Sequence, residues 1–180
     1  EACISYTTSP VHNEAYFVDL SQQMEKAGAD TICIKDMAGL LLPEAATSLV
    51  KELKKHVKIP IHLHTHNTAG TGSLTYLAAA QAGVDIVDCA LSPLGSGTSQ
   101  PATESLVAAL QGSERDTGLD LKKLTEAASH FQKVAARLEK EGFLVPGQVL
   151  RPDVRALLYQ VPGGMLSNLL SQLKSANAMD

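Results

Sequence analysis

Residues 27–39 read AGADTICIKDMAG, and the fold of this chain depends on the pattern they contain. A glycine ends a helical stretch, an apolar run follows, and Lys35 stands where that run meets a glycine-containing turn. The opening recurs as AGVD at residues 82–85, again before an apolar run and 55 residues later. Two units of roughly 27 residues, a length that suits one strand with its helix, account for that offset. The chain is therefore expected to repeat a βα unit.

Strand and helix patterns alternate along the first 112 residues. Apolar runs predict strands at residues 3–7, 31–35, 59–64 and 85–91. Helical spacing of apolar residues predicts three intervening helices, with stripes at Phe17, Leu20, Met24 and Ala27, at Ala46, Leu49, Val50, Leu53 and Val57, and at Leu74, Leu77 and Ala78. Asn13 is expected to cap the first helix, and Pro43 suits the first turn of the second. Gly28 and Gly83 stand where the first and third helices should end.

This alternation implies an α/β fold with a parallel sheet, either doubly wound or closed into a (β/α)8 barrel. No glycine-rich phosphate fingerprint follows a predicted strand, which favours the barrel. Only four βα units precede residue 112, whereas a TIM barrel contains eight. We therefore expect residues 1–115 to be the C-terminal part of a TIM barrel, with the first half of the barrel absent from this chain.

An additional helical region is expected over residues 116–180. A long amphipathic helix ending near Gly142 is predicted by the stripe Leu124, Ala127, Phe131, Val134 and Leu138. A loop is predicted at residues 145–151, and two further helices at about 153–160 and 165–174.

Composition and charge argue against several classes of function. The chain has 180 residues, 44% of them hydrophobic, and a net charge of −4 with scattered Lys and Arg, which argues against a nucleic-acid partner. It contains neither an apolar run long enough to span a membrane nor a recognisable signal segment. Cys3, Cys33 and Cys89 lie in apolar runs and are odd in number, so we expect buried thiols of a reducing, cytoplasmic compartment.

Three histidines alternate in the segment HLHTHN, residues 62–67. On an extended strand, His62, His64 and His66 would present their rings to one face. Neutral imidazoles offered from one face can hold a borderline cation such as Zn²⁺. The competing interpretation, that one or two of them are structural, applies best to His62, which lies deepest in the strand.

Lys35 ends its own apolar run in a similar way. A lysine at such a position is usually solvated, but burial can lower the pKa of a lysine and leave a neutral amine. That amine can add carbon dioxide to form a carbamate, a carboxylate-like metal ligand. Lys35 precedes His64 by 29 residues, which argues against amidohydrolase-type sites, because there the histidines come first.

The segment SGTSQP, residues 96–101, leaves the role of Thr98 open. Its hydroxyl either takes part in chemistry or caps a helix that begins at Pro101, with Ser99 and Gln100 as competitors for the cap. Three nearby aspartates are candidates for capping or for supporting metal ligands, and the structural role is preferred for the second of them: Asp36, Asp85 and Asp88.

Five segments together resemble the carboxyltransferase module of biotin-dependent enzymes, which include the oxaloacetate decarboxylase α subunit, pyruvate carboxylase and the transcarboxylase 5S subunit. They are SYTTSP at 5–10, CIKDMAG at 33–39, LHTH at 63–66, GTSQP at 97–101 and VPGGMLSNL at 161–169. The last, with Met165, is more similar to the decarboxylase α subunit and to the B subunit of two-chain pyruvate carboxylases than to the single-chain enzymes. The resemblance covers essentially the whole chain.

The resemblance implies roles for particular residues. His64 and His66 match the two metal-binding histidines of the family, and Lys35 matches its carboxylated lysine. Thr98 matches the threonine that carries a proton between biotin and the substrate. The implied metal is divalent, with Zn²⁺ expected first and Mn²⁺ or Co²⁺ as alternatives. Asn67 departs from the Asp or Ser common after the H-x-H pair and is assigned no role.

Several parts of such an enzyme are expected to lie outside this chain. The family's fourth metal ligand, an aspartate on the first barrel strand, and its substrate-binding arginine have no counterpart here. The biotin-carrying M-K-M motif is also absent, so biotin is expected on a separate carrier domain. The segment alone is therefore expected to be incomplete as an enzyme.

The implied function is a biotin-dependent carboxyltransferase that moves a carboxyl group between oxaloacetate or pyruvate and carboxybiotin. The preferred interpretation is the oxaloacetate decarboxylase α subunit of a sodium-pumping complex, a homo-oligomer held at the inner membrane by membrane-embedded decarboxylase subunits. The B subunit of a two-chain pyruvate carboxylase is the alternative. Two rivals remain open: a biotin-independent, metal-dependent aldolase or lyase of the HMG-CoA lyase-like barrel superfamily, and a non-catalytic half-barrel.

Overall fold

Four parallel strands form one sheet in chain order: β1 (Ala2–Ser5), β2 (Ile32–Asp36), β3 (Ile61–Thr65) and β4 (Ile86–Val87). The structure is a computed structural model that describes residues 1–144 and 151–162, together with residues 165, 168, 169, 172, 173 and 176. The four predicted strands are confirmed, although β4 is only two residues long. Each strand lies beside the next one in sequence, as in a barrel, whereas a doubly wound sheet reverses its order at a switch point.

Helices follow the strands as the apolar stripes predict. They are α1 (Glu14–Lys26), α2 (Pro43–His56), α3 (Gly72–Ala82), α4 (Thr103–Leu110) and α5 (Leu121–Lys140), with a 3-10 helix at Ser92–Leu94 and one helical turn at Ala156–Tyr159. The side chain of Asn13 accepts a hydrogen bond from the backbone N–H of Tyr16 and so caps α1 as expected. Pro43 is the first residue of α2, and Gly83 ends α3 in the left-handed conformation with φ 105°.

The two faces of the sheet differ in character. Ile4, Ile34 and Leu63 are register partners on one face, where they join the buried stripes of α1 and α2 in a single apolar core. Successive residues of a strand point to opposite faces, so the other face presents Ser5, Lys35 and, in the same row, His64. A sheet with its helices on one face and polar groups on the other matches a segment of barrel wall, and the α/β barrel assignment is confirmed.

The structure corrects the predicted face of α3. Leu74 of the predicted stripe is 60% exposed, whereas Thr75, Tyr76 and Ala79 are fully buried. Hydrogen bonds explain the difference: the Tyr76 hydroxyl accepts from the backbone N–H of Thr65 at 2.9 Å, and the Thr75 hydroxyl donates to the carbonyl of Leu41 at 2.8 Å. Because α3 is rich in alanine on every side, these polar contacts and not the apolar spacing select the buried face.

The expectation of three buried thiols is only partly correct. Cys33 is buried, Cys89 is half-buried and Cys3 is exposed. Cys3 and Cys33 are register partners on the polar face of the sheet, where β1 is an edge strand. The exposure of Cys3 therefore follows from its place in the sheet and not from the apolar run around it.

The C-terminal part begins with α5, which packs against α4 and the 3-10 helix. The predicted long helix is confirmed, although Phe131 of its stripe is 37% exposed. The helix predicted at residues 153–160 is shorter and spans Ala156–Tyr159. The loop predicted at residues 145–151 lies outside the described residues except for residue 151. Of the helix predicted at 165–174, the described residues 165, 168, 169, 172 and 173 are helical. The division of the chain at residue 115 stays a prediction.

Within the part of the chain that the structure describes, no helix combines the length and the apolar character needed to cross a membrane.

Asp36 fastens the loop between β2 and α2 to the neighbouring strand. Its side chain is fully buried and accepts three hydrogen bonds: from the backbone N–H groups of Leu40 and Leu41 at 2.8 and 2.9 Å, and from the Thr65 hydroxyl at 2.6 Å. The loop and the end of β3 are thus held by one carboxylate. Lys35 and His64 each precede a member of this cluster in sequence, so the cluster also supports their positions.

Replacing Asp36 by alanine is expected to destabilise the full-length protein by roughly 2–4 kcal/mol, because three buried donors lose their acceptor. Chemical denaturation of the full-length variant measures the loss. Asp30→Ala provides a matched control, since Asp30 is an exposed aspartate in the preceding αβ loop. Equal stability of the two variants would contradict the role given to Asp36.

Candidate metal site

Lys35 and His64 lie side by side at the carboxyl ends of neighbouring strands. The register of β2 on β3 pairs Lys35 with His64, and Ser5 on β1 extends the same row on the other side. The pairing of Leu63 with Val87 brings Asp88, the next residue, to the end of β4 beside His64. Parallel strands thus gather a lysine, a histidine and a carboxylate that are far apart in sequence.

The ring of His64 is held at both of its nitrogens. Its Nδ1 lies 2.7 Å from Oδ2 of Asp88 and donates to that carboxylate, which can only accept. The side-chain amide of Gln100 lies 3.3 Å from Nε2, where it donates to the ring. The contacts therefore favour the tautomer with a lone pair on Nε2, the form in which a histidine binds a metal.

Asp88 is suited to this role by its charge. Burial raises the pKa of Asp88, but the hydrogen bond from His64 and the proximity of His62 outweigh that effect and hold the pKa below its usual range. An ionised carboxylate behind a metal-binding imidazole orients the ring and increases its basicity. Of the three candidate aspartates, Asp88 is thus the one whose side chain contacts the side chain of a predicted ligand.

His66 follows the last residue of β3 and is oriented by the backbone. Its own N–H donates to the carbonyl of Asp36 at 3.0 Å, and its Nδ1 donates to the carbonyl of Thr98 at 2.5 Å. Burial lowers the pKa of His66, and the hydrogen bond to Thr98 only partly opposes this. The lowered pKa favours the neutral ring of His66, and the contact at Nδ1 places its lone pair on Nε2.

The predicted metal ligands are brought together. The rings of His64 and His66 have centroids 5.2 Å apart and planes at 63°, so one cation can be approached by both. Lys35 is half-buried next to His64. His62 is separate: it lies two residues deeper on the same face, 8% exposed, with Nδ1 2.7 Å from Oε2 of Glu1. A donor set of two imidazoles and one amine that can become a carbamate fits a Zn²⁺-type ion.

Thr98 enters the site through its backbone. The capping interpretation is wrong for Thr98, Ser99 and Gln100, because α4 begins at Thr103 and its N-cap residue, Ala102, provides no side-chain hydrogen bond. The Thr98 carbonyl accepts from His66, and the Ser99 carbonyl accepts from the backbone N–H of Asn67 at 2.7 Å. The turn at residues 95–100 is thus fastened to the loop that follows β3.

Gly39, the last residue of the CIKDMAG segment, allows two loops to meet at the site. Its φ is +70°, and a Cβ atom built on it would lie 2.6 Å from the carbonyl oxygen of His66. A side chain would therefore both strain the backbone and push His66 away. Gly39 therefore helps to position His66 by allowing this close contact, although it takes no part in the reaction itself.

The contacts of two polar residues at the site, Gln100 and Asn67, were not predicted from the sequence. The sequence pattern also did not show which of the three candidate aspartates contacts a predicted metal ligand. Gln100 contacts His64, and the side chain of Asn67 accepts from the N–H of Gly72 at 2.8 Å, which anchors the start of α3. Asp85 accepts from Lys54 and from the backbone N–H of Ile61, so its structural role is borne out. One feature of the sequence could have indicated the role of Gln100: it lies two residues after Thr98, in the same turn.

Known proteins resemble this chain along almost its entire length. The model of the HMGL-like family matches residues 4–130. The chain is 52% identical to the B subunit of pyruvate carboxylase from Methanocaldococcus jannaschii over 180 residues, which is 100% of the chain and 31% of that protein. It is 38% identical to the 2-oxoglutarate carboxylase large subunit of Hydrogenobacter thermophilus, over 98% of the chain and 27% of that protein.

A solved structure shows the same architecture. The carboxyl transferase domain of Rhizobium etli pyruvate carboxylase with pyruvate superposes with a TM-score of 0.92 at 41% identity, over 99% of this chain and 30% of that one. The chain thus spans about a third of the length of the relatives it matches. The family model, the identities and the common fold agree with the resemblance seen in the sequence, and the chain belongs to the HMGL-like family, among relatives that are carboxyltransferase domains of biotin-dependent carboxylases.

Proposed function

We propose that this chain forms part of the active site of a biotin-dependent carboxyltransferase, of the type found in the B subunit of two-chain pyruvate carboxylases. The observation that carries the proposal is the pairing of Lys35 with His64 at the strand ends, with His66 adjacent and both imidazoles oriented through Nδ1. Relatives that are 52% and 44% identical to the chain are pyruvate carboxylase B subunits, which favours this alternative over oxaloacetate decarboxylase. The sodium-pump interpretation has no such support.

In this proposal His64, His66 and a carbamate on Lys35 would hold a divalent metal, the two histidines through Nε2. The carbamate would form by attack of the Lys35 Nζ, in its unprotonated form, on carbon dioxide: a nitrogen–carbon bond is made, one π bond of carbon dioxide becomes the carbamate's negative charge, and one proton leaves to solvent. The bound metal would supply Lewis-acid stabilisation of the negative charge that develops on the 2-oxo acid. Zn²⁺ suits the donor set best, with Mn²⁺ and Co²⁺ as alternatives.

Neighbouring residues of this chain hold the side chains of the proposed metal ligands in one orientation. Asp88 and the Thr98 carbonyl each accept an Nδ1–H, so both rings are prevented from turning. Asp36 and Gly39 position the loop that follows Lys35. Such preorganisation matters because stabilisation of a transition state requires donors and ligands that need no rearrangement when charge develops.

The reaction moves one carboxyl group and one proton. In oxaloacetate, the bond between the methylene carbon and its carboxylate breaks and the electron pair remains as the enolate of pyruvate. The released carbon dioxide is taken by the ureido nitrogen of biotin, whose proton passes to the enolate carbon. In the reverse direction pyruvate is carboxylated. The biotin arrives on its own carrier domain, which is the proposed partner of the site.

Lys35 distinguishes the carboxyltransferase proposal from the two alternative functions. A biotin-independent aldolase or lyase of the same barrel superfamily also needs an H-x-H pair, but it does not need a carboxylated lysine. A non-catalytic half-barrel needs neither. Dependence of the activity on Lys35 and on biotin is therefore the discriminating property.

The Lys35→Ala variant of the full-length protein is expected to lose biotin-dependent carboxyl exchange between labelled oxaloacetate and pyruvate. The reason is that alanine cannot form the carbamate ligand. Exchange is followed by the transfer of label into the pyruvate pool, with and without free biotin. The same assay with 2-oxoglutarate tests whether the substrate is the larger 2-oxo acid, as the name of one relative suggests.

Lys51→Ala is the matched control, because Lys51 is an exposed lysine on α2 and its removal leaves the site intact. The control should exchange at the wild-type rate. Oxaloacetate turnover that is indifferent both to biotin and to Lys35 would move the protein to the lyase group.

The proton-carrying role of Thr98 stays a prediction from resemblance, and its backbone contact provides a clean test. Thr98→Ala removes the hydroxyl but keeps the carbonyl that holds His66, so the variant is expected to lose transfer while its metal content, measured by atomic absorption, stays at the wild-type level. If the variant still transfers, Thr98 acts through its carbonyl alone.

A further inference from the structure

One polar side chain beside the candidate metal site, that of Gln100, has no part in the proposed ligand set. Its backbone is fixed on both sides. The Gln100 carbonyl accepts a hydrogen bond from the N–H of Ser96 at 2.7 Å, and the carbonyl of the preceding residue, Ser99, accepts from the N–H of Asn67 at 2.7 Å. The residue that follows, Pro101, is fully buried. The side chain of Gln100 therefore starts from a backbone that is held against the loop after β3.

The amide of Gln100 approaches the ring nitrogen of His64 that Asp88 does not contact. Its Nε2 lies 3.3 Å from Nε2 of His64, and its Oε1 accepts from the Ser99 hydroxyl at 3.4 Å. Both contacts are at the long end of the hydrogen-bond range and hold the amide only weakly. Over the described residues, these are the polar contacts of the Gln100 side chain. Because a side-chain amide carries two N–H donors, at least one of them is unused.

The contact with Gln100 and a bond to a metal need the same lone pair of His64. Nδ1 of His64 donates to Asp88, so the lone pair of the ring lies on Nε2, and the amide of Gln100 donates to it. A neutral histidine binds a metal through that lone pair. His64 can therefore become a ligand only when the amide leaves Nε2. The amide remains at the site after it leaves, because its backbone is fixed.

We propose that Gln100 is a substrate-binding residue whose amide, once it has left His64, donates a hydrogen bond to an oxygen of the 2-oxo acid. The inference deepens the proposed function and rests on it. The carboxylate and enolate oxygens of this class of substrate only accept hydrogen bonds, and a neutral amide can meet them with its N–H groups. The place is suitable, because Gln100 lies two residues after Thr98, whose predicted task is to carry a proton to the same substrate.

A purely structural task for Gln100 would have a different consequence. If the amide served only to hold the ring of His64, its loss would loosen the ring and weaken metal binding. If the amide competes for Nε2 and then binds the substrate, its loss should strengthen metal binding and weaken substrate binding. The expected changes in metal affinity have opposite signs, so measurement of that affinity separates the two roles.

The test compares two affinities of the full-length protein with those of its Gln100→Leu variant. Co²⁺ is the metal probe, and its dissociation constant is measured by competition with a chelator. Oxalate is the substrate probe, because its adjacent charged oxygens resemble those of the enolate of pyruvate, and its binding is followed in the visible spectrum of the Co²⁺-loaded protein. Gln100→Leu is expected to bind Co²⁺ about 2–10-fold more tightly, since a competing hydrogen bond is lost. It should bind oxalate about 10–100-fold more weakly, since a hydrogen bond to a charged group is lost.

Two further variants serve as controls. Gln100→Glu keeps the size and shape of the side chain but replaces the donor by a carboxylate, so it should also lose oxalate affinity. Gln132→Leu, which removes an exposed glutamine on α5, should change neither affinity. Thermal unfolding of each metal-free variant checks that the changes in affinity do not follow from a loss of stability.

Three results would overturn the inference. Unchanged oxalate affinity in Gln100→Leu would show that the amide does not contact the substrate, and wild-type oxalate affinity in Gln100→Glu would show that no donor is needed. Weaker Co²⁺ binding by Gln100→Leu would show that the amide supports His64 and does not compete with the metal. Failure of the proposed function is distinguishable, since it would appear as Co²⁺ binding by the wild type that His64→Ala leaves unaltered.

Discussion

The site depends on the register in which β2 pairs with β3. Parallel pairing sets Lys35 beside His64, and the same ladder extends to Ser5 on one side and to Asp88 on the other. A shift of one residue would turn Lys35 toward the helices and bring Ile34 to the polar face, because side chains alternate along a strand. The buried partners Ile4, Ile34 and Leu63 resist that shift, since it would expose them to water. The packing of the apolar face thus maintains the strand register on which the site on the polar face depends.

Hydrogen bonds from backbone and side-chain groups then fix the orientation of the residues that the strands bring together. Asp36 anchors the loop after β2 to Thr65, and the Thr98 carbonyl holds the ring of His66. Asp88 does the same for His64 from the end of β4. Each of these contacts joins elements that are distant in sequence, and the contacts of Asp88 and Thr98 engage Nδ1 of an imidazole and so place the lone pair of that ring on Nε2. The arrangement resembles metal sites in which the groups behind the ligands decide the tautomer and the direction of the rings.

The exposed polar face and the edges of the sheet agree with a chain that matches only part of the length of its relatives. In the described part of the chain, the helices α1, α2 and α3 join the apolar face, while Cys3 and Ser5 on the other face are exposed. The chain spans about a third of the carboxyltransferase proteins it matches, and β1 and β4 are the two edges of its sheet. The two edges and the exposed polar face fit a segment of the wall of a barrel, the fold of the family.

The alternation of strands and helices, the cap of α1 at Asn13, the start of α2 at Pro43 and the position of Lys35 and His64 near strand ends could all be predicted from the sequence, because local spacing and residue chemistry specify them. Other features could not. The buried face of α3 is selected by two hydrogen bonds to other elements, one that the Tyr76 hydroxyl accepts and one that the Thr75 hydroxyl donates, since an alanine-rich helix has no distinct apolar stripe.

The sequence by itself determined which groups are available for chemistry and that they stand at strand ends. Only the tertiary structure decided which of them meet: Asp88 and Gln100 contact His64, Thr98 contributes a carbonyl, and His62 lies apart from the pair that follows it. The physical reason is that strand order, register and loop contacts depend on long-range packing and hydrogen bonds, for which the spacing of residues along the chain carries no signal.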